Sequence, residues 1–329
     1  MTSANTQFWT DRNVFVTGGA GLLGSWVVEE LIDAGANVVL LIRDHTPKSR
    51  LYRKGIIDRA TTVSGEVEDH RLLERVLNEY QIDTVFHLAA QTIVSIASQS
   101  PLSTFETNIR GTWNLLEACR TTSWVNRVVI ASSDKAYGEH ENLPYSEDSP
   151  LLGKYPYDVS KTCADLLSQA YASSFGLPVC VTRFGNLFGP GDRNFNRLIP
   201  GTIRSVLKDE APIIRSNGKF SRDYIYVEDA AWAYVLLAEK MADGGDFAGE
   251  AFNFSYERPM TALEVVETIL TRMDRPDLKP QVLGTTTNEI PHQYLDAGKA
   301  TKALGWQPEF NFEIGLDRTI PWYRELLRQ

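Results

Sequence analysis

The chain has 329 residues, 43% hydrophobic, 23% charged and 10% aromatic, a globular composition that excludes disorder, collagen and coiled coil. Thirty-three Lys and Arg against 42 Asp and Glu give a formal charge of -9, so no whole-surface positive field exists to hold nucleic acid or anionic lipid. The opening residues lack a cationic, apolar leader, the apolar runs are too short to span a bilayer, and Cys119, Cys163 and Cys180 form no paired framework. The expectation is a cytoplasmic protein with neither membrane nor nucleic acid as partner.

Apolar runs of strand length alternate with segments at helical spacing. Residues 14–16 predict a strand, 26–34 a helix, 37–42 a strand and 69–80 a helix. Residues 83–88 then predict a strand, 102–120 a helix, 127–131 a strand, 158–175 a helix and 178–183 a strand. Gly35 closes the first helix, and Gly176 with Pro178 ends the 158–175 helix. This order predicts an α/β fold, a Rossmann-type doubly wound parallel sheet over residues 1–182. Beyond it the text turns loop-rich, with Gly185, Gly189, Pro190, Gly191, Pro200 and Gly201. A smaller C-terminal substrate-binding domain is expected over 183–329, with a segment near 225–253 returning to the sheet.

The first strand runs into Thr17-Gly18-Gly19-Ala20-Gly21-Leu22-Leu23-Gly24 and directly into a helix. Glycines at 18 or 19, 21 and 24 permit a tight turn, let backbone N–H groups approach a pyrophosphate, and let the helix pack close to the sheet with its positive end on the phosphates. At the end of the second strand Arg43 and Asp44 stand side by side. A carboxylate there suits the free ribose 2′-hydroxyl of NAD and a guanidinium the 2′-phosphate of NADP, so both remain open.

The strand at 127–131 ends in Ser132-Ser133-Asp134-Lys135, and Tyr157 and Lys161 open the next helix four residues apart, on one face. An ammonium beside a phenol, together with a positive nicotinamide ring, would lower the phenol's pKa and let it take a proton from a hydroxyl whose carbon gives up hydride. The five His residues are scattered without ligand spacing, so no metal is expected, and His87 reads as a packing or hydrogen-bonding residue. Ser133 has no His and Asp partners for a hydrolase triad.

With TGGAGLLGS at 17–25, HLAAQ at 87–91, NIRG at 108–111, SSDKAYG at 132–138, YDVSK at 157–161, RFGN at 183–186, RDYIYVED at 222–229 and LGW at 304–306, the chain resembles the extended short-chain dehydrogenase/reductase family of nucleotide-sugar epimerases and dehydratases nearly end to end. That resemblance implies a pyrophosphate on Gly18, Gly21, Leu22, Leu23 and Gly24, and a cofactor lined by Glu66, Val67, Leu88, Ala89, Ala90, Gln91, Asn108, Ser132 and Phe184. It implies Tyr157 as acid and base, Lys161 on the nicotinamide ribose, and Ser133, Asn186, Arg197, Leu198 and Arg222 on a nucleotide-diphosphate sugar. It also implies a homodimer through the 102–120 and 158–175 helices. Among Arg183, Arg197, Arg204, Arg215 and Arg222, the preferred diphosphate contacts are Arg197 and Arg222.

Asp134-Lys135 resembles the Ser-Asp-Lys of the CDP-glucose 4,6-dehydratase subgroup, as do FW at 8–9, GSW at 24–26, AAQ at 89–91 and RLIP at 197–200. In that chemistry Asp134 is the acid that protonates the leaving C6 hydroxyl and needs a raised pKa, while Lys135 is the C5 base and must be neutral. The chain departs from the subgroup at 189–195, which reads GPGDRNF instead of a Gly-Gly-Asp-Trp type segment. Three readings follow: a 4,6-dehydratase, favoured, with a CDP-glucose-like substrate; a nucleotide-sugar 4-epimerase; and a catalytically silent dinucleotide-binding sensor.

Overall fold

β-Branched and aliphatic residues crowd the strands because the sheet they build is covered on both faces. In the computed structural model, which describes residues 4–244, 247–286 and 289–328, the strands are β1 (Asn13–Thr17), β2 (Asn37–Ile42), β3 (Thr61–Ser64), β4 (Thr84–His87), β5 (Arg127–Ala131) and β6 (Val179–Phe184). The helices between them are α1 (Leu22–Asp33), α2 (His70–Glu79), α3 (Gly111–Thr121) and α4 (Pro156–Phe175). Further along come β7 (Asn186–Phe188), α5 (Leu198–Leu207), β8 (Ser221–Arg222), β9 (Tyr224–Tyr226), α6 (Val227–Ala242), β10 (Ala251–Phe254), β11 (Met260–Thr261), α7 (Ala262–Arg272), β12 (His292–Gln293) and α8 (Phe312–Arg328). The main sheet has seven strands in the order β10-β6-β5-β4-β1-β2-β3, all parallel. The order reverses between β1 and β4, so a crevice opens beyond their carboxyl ends, where this architecture binds ligands.

One face of the sheet packs against α1 and α6 through Val14, Val16, Val27, Leu31, Tyr234 and Phe252. The other packs against α2 and α3 through Phe15, Leu73, Val76, Leu115 and Val128. A separate apolar core, built on Phe188, Ile199, Ile203, Val266, Leu316 and Ile320, holds α5, α7 and α8 together. Short ladders connect this second layer to the site: β7 runs parallel to β9, and β8 lies between β11 and β12.

Two features differ from the sequence expectation. β3 has no apolar run to announce it, since among Thr61, Thr62, Val63 and Ser64 only Val63 is buried at this outer edge. The helix expected over 102–120 is broken: a short helix at Pro101–Phe105 passes through a π-helical turn at Glu106–Arg110 before α3 begins. A π turn carries an extra residue and re-aims a side chain. Here the buried Asn108 turns inward, and Gly111 lies so close to Val67 that an added Cβ would stand 2.5 Å from its Cγ1.

Candidate active site

The loop after β1 is shaped by contact at the atomic scale. Gly18 has φ 76°, and a Cβ there would sit 2.6 Å from the backbone of Leu88 and Ala89; a Cβ on Gly24 would fall 2.2 Å from the Gly18 carbonyl oxygen. Only glycine fits either place. α1 starts at Leu22 with Gly21 at its N-cap and no side-chain cap, leaving its first N–H groups directed out of the helix. A diphosphate fits that cradle: open backbone donors, the positive helix end and no side chain in the way. Leu88, Ala89 and Ala90 follow β4 beside it, and the Ala89 N–H is tied to Thr17 Oγ1 at 3.2 Å.

Asn108 braces this loop against α4. Its Oδ1 accepts from the Gln91 N–H at 2.7 Å, and its Nδ2 donates to the Gln91 carbonyl at 3.1 Å and to Ser160 Oγ at 2.9 Å. His87 is buried, with Nδ1 2.8 Å from Thr17 Oγ1 and Nε2 3.1 Å from Thr112 Oγ1. Burial, reinforced by the Lys161 charge, pushes it down to about 3, so it stays neutral and structural.

The end of β5 carries the other half of the site. Ser133 Oγ donates to Asp134 Oδ1 at 3.0 Å and accepts from the Lys135 N–H at 3.2 Å, starting a 3₁₀ turn over Asp134–Tyr137. Tyr157 and Lys161 are buried in the first turns of α4, and Lys161 Nζ donates to the Ala131 carbonyl at 2.7 Å. Burial lowers Lys161 to about 8, against the pull of Asp165. Burial raises Asp134 above the usual carboxylate range, over the opposing charge of Lys135 and the Ser133 hydrogen bond, and burial with Arg222 holds Lys135 below the ordinary lysine range. In the protein alone the Tyr157 phenol is pushed up rather than down: burial leads, the Asp134 charge adds to it, and Ser133 opposes it. The depression expected beside an ammonium therefore does not come from Lys161 acting in the free protein.

The structure brings Ser132, Ser133, Asp134 and Lys135, at the end of β5, together with Tyr157 and Lys161, in the first turns of α4, and separates others. Arg43 and Asp44 are paired with each other at 2.7 Å in solvent at the end of β2. Glu66 is exposed while Val67 packs on α3, and the Phe184 ring is stacked in the core 4.9 Å from Phe254 and 5.5 Å from Tyr234. Asn186 lies half-buried on β7, opposite Tyr224, and Leu198 opens α5. Arg197 is held by Asp192 at 2.7 Å and the Leu187 carbonyl at 2.8 Å. Arg222 is turned into the protein, donating to the carbonyls of Ser221, Ile290 and Pro291 and to Glu289. Arg183 is removed from the diphosphate candidates: it forms a buried two-point ion pair with Asp165, 2.8 Å at each contact.

Three further residues near the site were not among the candidates read from the sequence. Asp158 is raised to about 6 by burial, with the Asp134 charge adding to it and the Lys135 charge opposing it more strongly than Asp134 adds. Asp223, raised to about 7 chiefly by burial, accepts from the Leu295 N–H and Ser255 Oγ. Gln293 accepts from Lys135 Nζ. Asp158 was legible as an acid next to Tyr157, whereas Asp223 and Gln293 reach the site only through strand pairing.

The family described as GDP-mannose 4,6 dehydratase matches residues 15–319. The chain belongs to this family. It is 30% identical over 335 residues to the CDP-glucose 4,6-dehydratase of Salmonella typhimurium, covering 98% of this chain and 93% of that protein. Among solved structures it resembles UDP-glucose 4-epimerase from Thermotoga maritima with UDP-glucose, at TM-score 0.87 and 29% identity over 96% of this chain and 99% of that one. It also resembles dTDP-glucose 4,6-dehydratase from Bacillus anthracis in complex with NAD, at TM-score 0.83 and 28% identity over 95% and 97% of the two chains. The parallel sheet and flanking helices are thus those of the family's dehydratases and epimerases. No helix among the described residues is long and apolar enough to cross a membrane.

Proposed function

We propose that the protein is an NAD-dependent nucleotide-sugar 4,6-dehydratase of the cytoplasm, converting an NDP-hexose, with a CDP-glucose-like sugar favoured, to the NDP-4-keto-6-deoxyhexose. The observation that carries this is the buried Asp134 beside Lys135 at the end of β5, one carboxyl held up and one amine held down by the same burial. An ordinary surface ion pair does the opposite, stabilising both charges. An elimination across C5 and C6 asks for an acid that still has its proton and a base that has lost one.

NAD, when bound, supplies the hydride acceptor for C4 and the hydride donor for C6. Gly18, Gly21, Leu22, Leu23 and Gly24 would hold its diphosphate and Lys161 its nicotinamide ribose; Asp44 would take the adenosine ribose, and equal affinity for NADP would give that place to Arg43. Ser133 positions the C4 hydroxyl and Tyr157 removes its proton. The 4-ketone makes the C5 hydrogen acidic; Lys135 takes that proton while Asp134 protonates the departing C6 hydroxyl. Asn186, Arg197, Leu198 and Arg222 would hold the nucleotide diphosphate, with Arg197, its side chain 33% exposed against 7% for Arg222, the more available of the two cations. Residues 1–182 with the return near 225–253 would then carry the cofactor and 183–329 mainly the sugar nucleotide. Leu102 on the short Pro101–Phe105 helix, Trp113 on α3 and Leu166 on α4, 72%, 43% and 51% exposed, favour a homodimer through the 102–120 segment and α4, and Leu166→Glu should yield monomers in sedimentation velocity.

The deciding experiment is mass spectrometry of products from CDP-, GDP-, UDP- and dTDP-hexoses incubated with the protein and NAD. Loss of one water from one substrate establishes the dehydratase and its nucleotide. The fold shared with a UDP-glucose 4-epimerase favours the second reading, a 4-epimerase, which would leave the mass unchanged and give a new sugar by NMR. Asp134→Asn should lower dehydration by roughly 10²–10⁴-fold, as expected for a lost general acid; undiminished turnover would return Asp134 and Lys135 to a structural role.

A further inference from the structure

A side chain from a distant part of the chain reaches the Asp134–Lys135 pair. Gln293, on β12, is fully buried and lies opposite Arg222 in the parallel β8–β12 ladder. Its Oε1 accepts a hydrogen bond from Lys135 Nζ across 158 residues of sequence. Its Nε2 is buried and turned toward the Tyr145 phenol, whose own proton goes to the Gly138 carbonyl. Burying a carboxamide costs more than burying an apolar side chain of the same size unless its polar atoms find partners. Here the nitrogen faces the Tyr145 phenol and the oxygen takes Lys135.

The charges around Lys135 make the chemistry of that contact matter. Arg222 faces it with positive charge, and Asp134, Asp158 and Glu289 face it with negative charge. Burial is the largest influence and works with Arg222 to disfavour the ammonium. A carboxamide oxygen accepts an N–H from the ammonium or from the free amine and adds no charge, so it fixes the nitrogen without restoring its proton. A carboxylate at the same point would reinforce the three acids and hold the proton on.

We propose that Gln293 is a positioning residue for Lys135, its neutral carboxamide aiming the amine while leaving it free to exist unprotonated. The catalytic meaning of this rests on the reading of Lys135 as the C5 base; the effect on the amine itself does not.

The test is Gln293→Glu, nearly identical in shape, beside Gln293→Leu, which removes the acceptor without adding charge. Reductive methylation of the full-length protein without substrate, followed by peptide mass mapping, reads the neutral fraction of Lys135 against pH. Gln293→Glu should move the midpoint of that curve upward by about one unit, a roughly tenfold smaller neutral fraction at a given pH. It should move the rising limb of kcat for water loss in the same direction, with KM for the sugar nucleotide changed less than roughly threefold. Gln293→Leu should keep the midpoint within about half a unit and lower kcat. An unchanged midpoint in Gln293→Glu overturns the proposal, because a merely structural glutamine would cost stability and leave the amine's titration alone. A shifted midpoint in a protein that removes water from no NDP-hexose supports the proposal and instead overturns Lys135 as the C5 base.

Discussion

Lys161 illustrates how burial, more than any partner, sets the chemistry of this site. Its amine is pulled from 10.5 to about 8, and Nζ is tied to the Ala131 carbonyl. Between those two pH values the unfolded chain holds a proton that the folded chain has released, so this group makes stability rise with pH across that window and costs most below it. Lys161→Met should therefore be more stable than the native protein at pH 7, by up to about 3 kcal/mol, and the advantage should shrink by pH 9.5. Urea unfolding at the two pH values checks it, and a constant difference would mean that Lys161 titrates normally. The motif spacing placed Tyr157 and Lys161 on one helical face, but could not give the sign of either shift, because that depends on how much protein covers each group.

At the scale of elements, the β1–α1 junction is fixed by the absence of side chains. The 2.2 Å approach of a Gly24 Cβ to the Gly18 carbonyl leaves no room for even a methyl group, and the clash is with backbone that cannot turn aside. Gly24→Ala should separate α1 from the loop, destabilise the protein by roughly 1–3 kcal/mol, and abolish dinucleotide binding in calorimetry. Binding at native affinity would show that the loop's donors act without the close packing. The glycine pattern was legible because its spacing serves backbone geometry directly. The π turn at Glu106–Arg110 was not: NIRG reads as ordinary helix, and the extra residue is favoured only once Asn108 finds Gln91 and Ser160 from two other elements.

Across the whole molecule, the buried Arg183–Asp165 pair joins β6 to α4, and Arg183 also donates to Tyr137 Oη at 2.7 Å, which in turn donates to Asn253 on β10. The network connects the far edge of the sheet to the helix that presents Tyr157 and Lys161. Removing one member strands a buried charge: Arg183→Met should cost about 3–5 kcal/mol, while Arg183→Met with Asp165→Leu should recover most of it. Urea midpoints measure both, and equal losses in the single and double variants would mean that the pair, not the stranded carboxylate, supplies the stability.

The sequence by itself determined the doubly wound parallel sheet, the glycine cradle after β1, the placement of Ser133, Asp134 and Lys135 at a strand end and that of Tyr157 and Lys161 on one face at the start of a helix, since each follows from periodicity or short spacing. The tertiary structure alone decided what those groups meet. It gave Asp134 and Lys135 the burial that shifts them in opposite directions, turned Arg222 inward, took Arg183 into the core and brought Gln293 to Lys135 through the β8–β12 ladder. Desolvation and strand pairing depend on residues far apart in the chain, and no local pattern carries them.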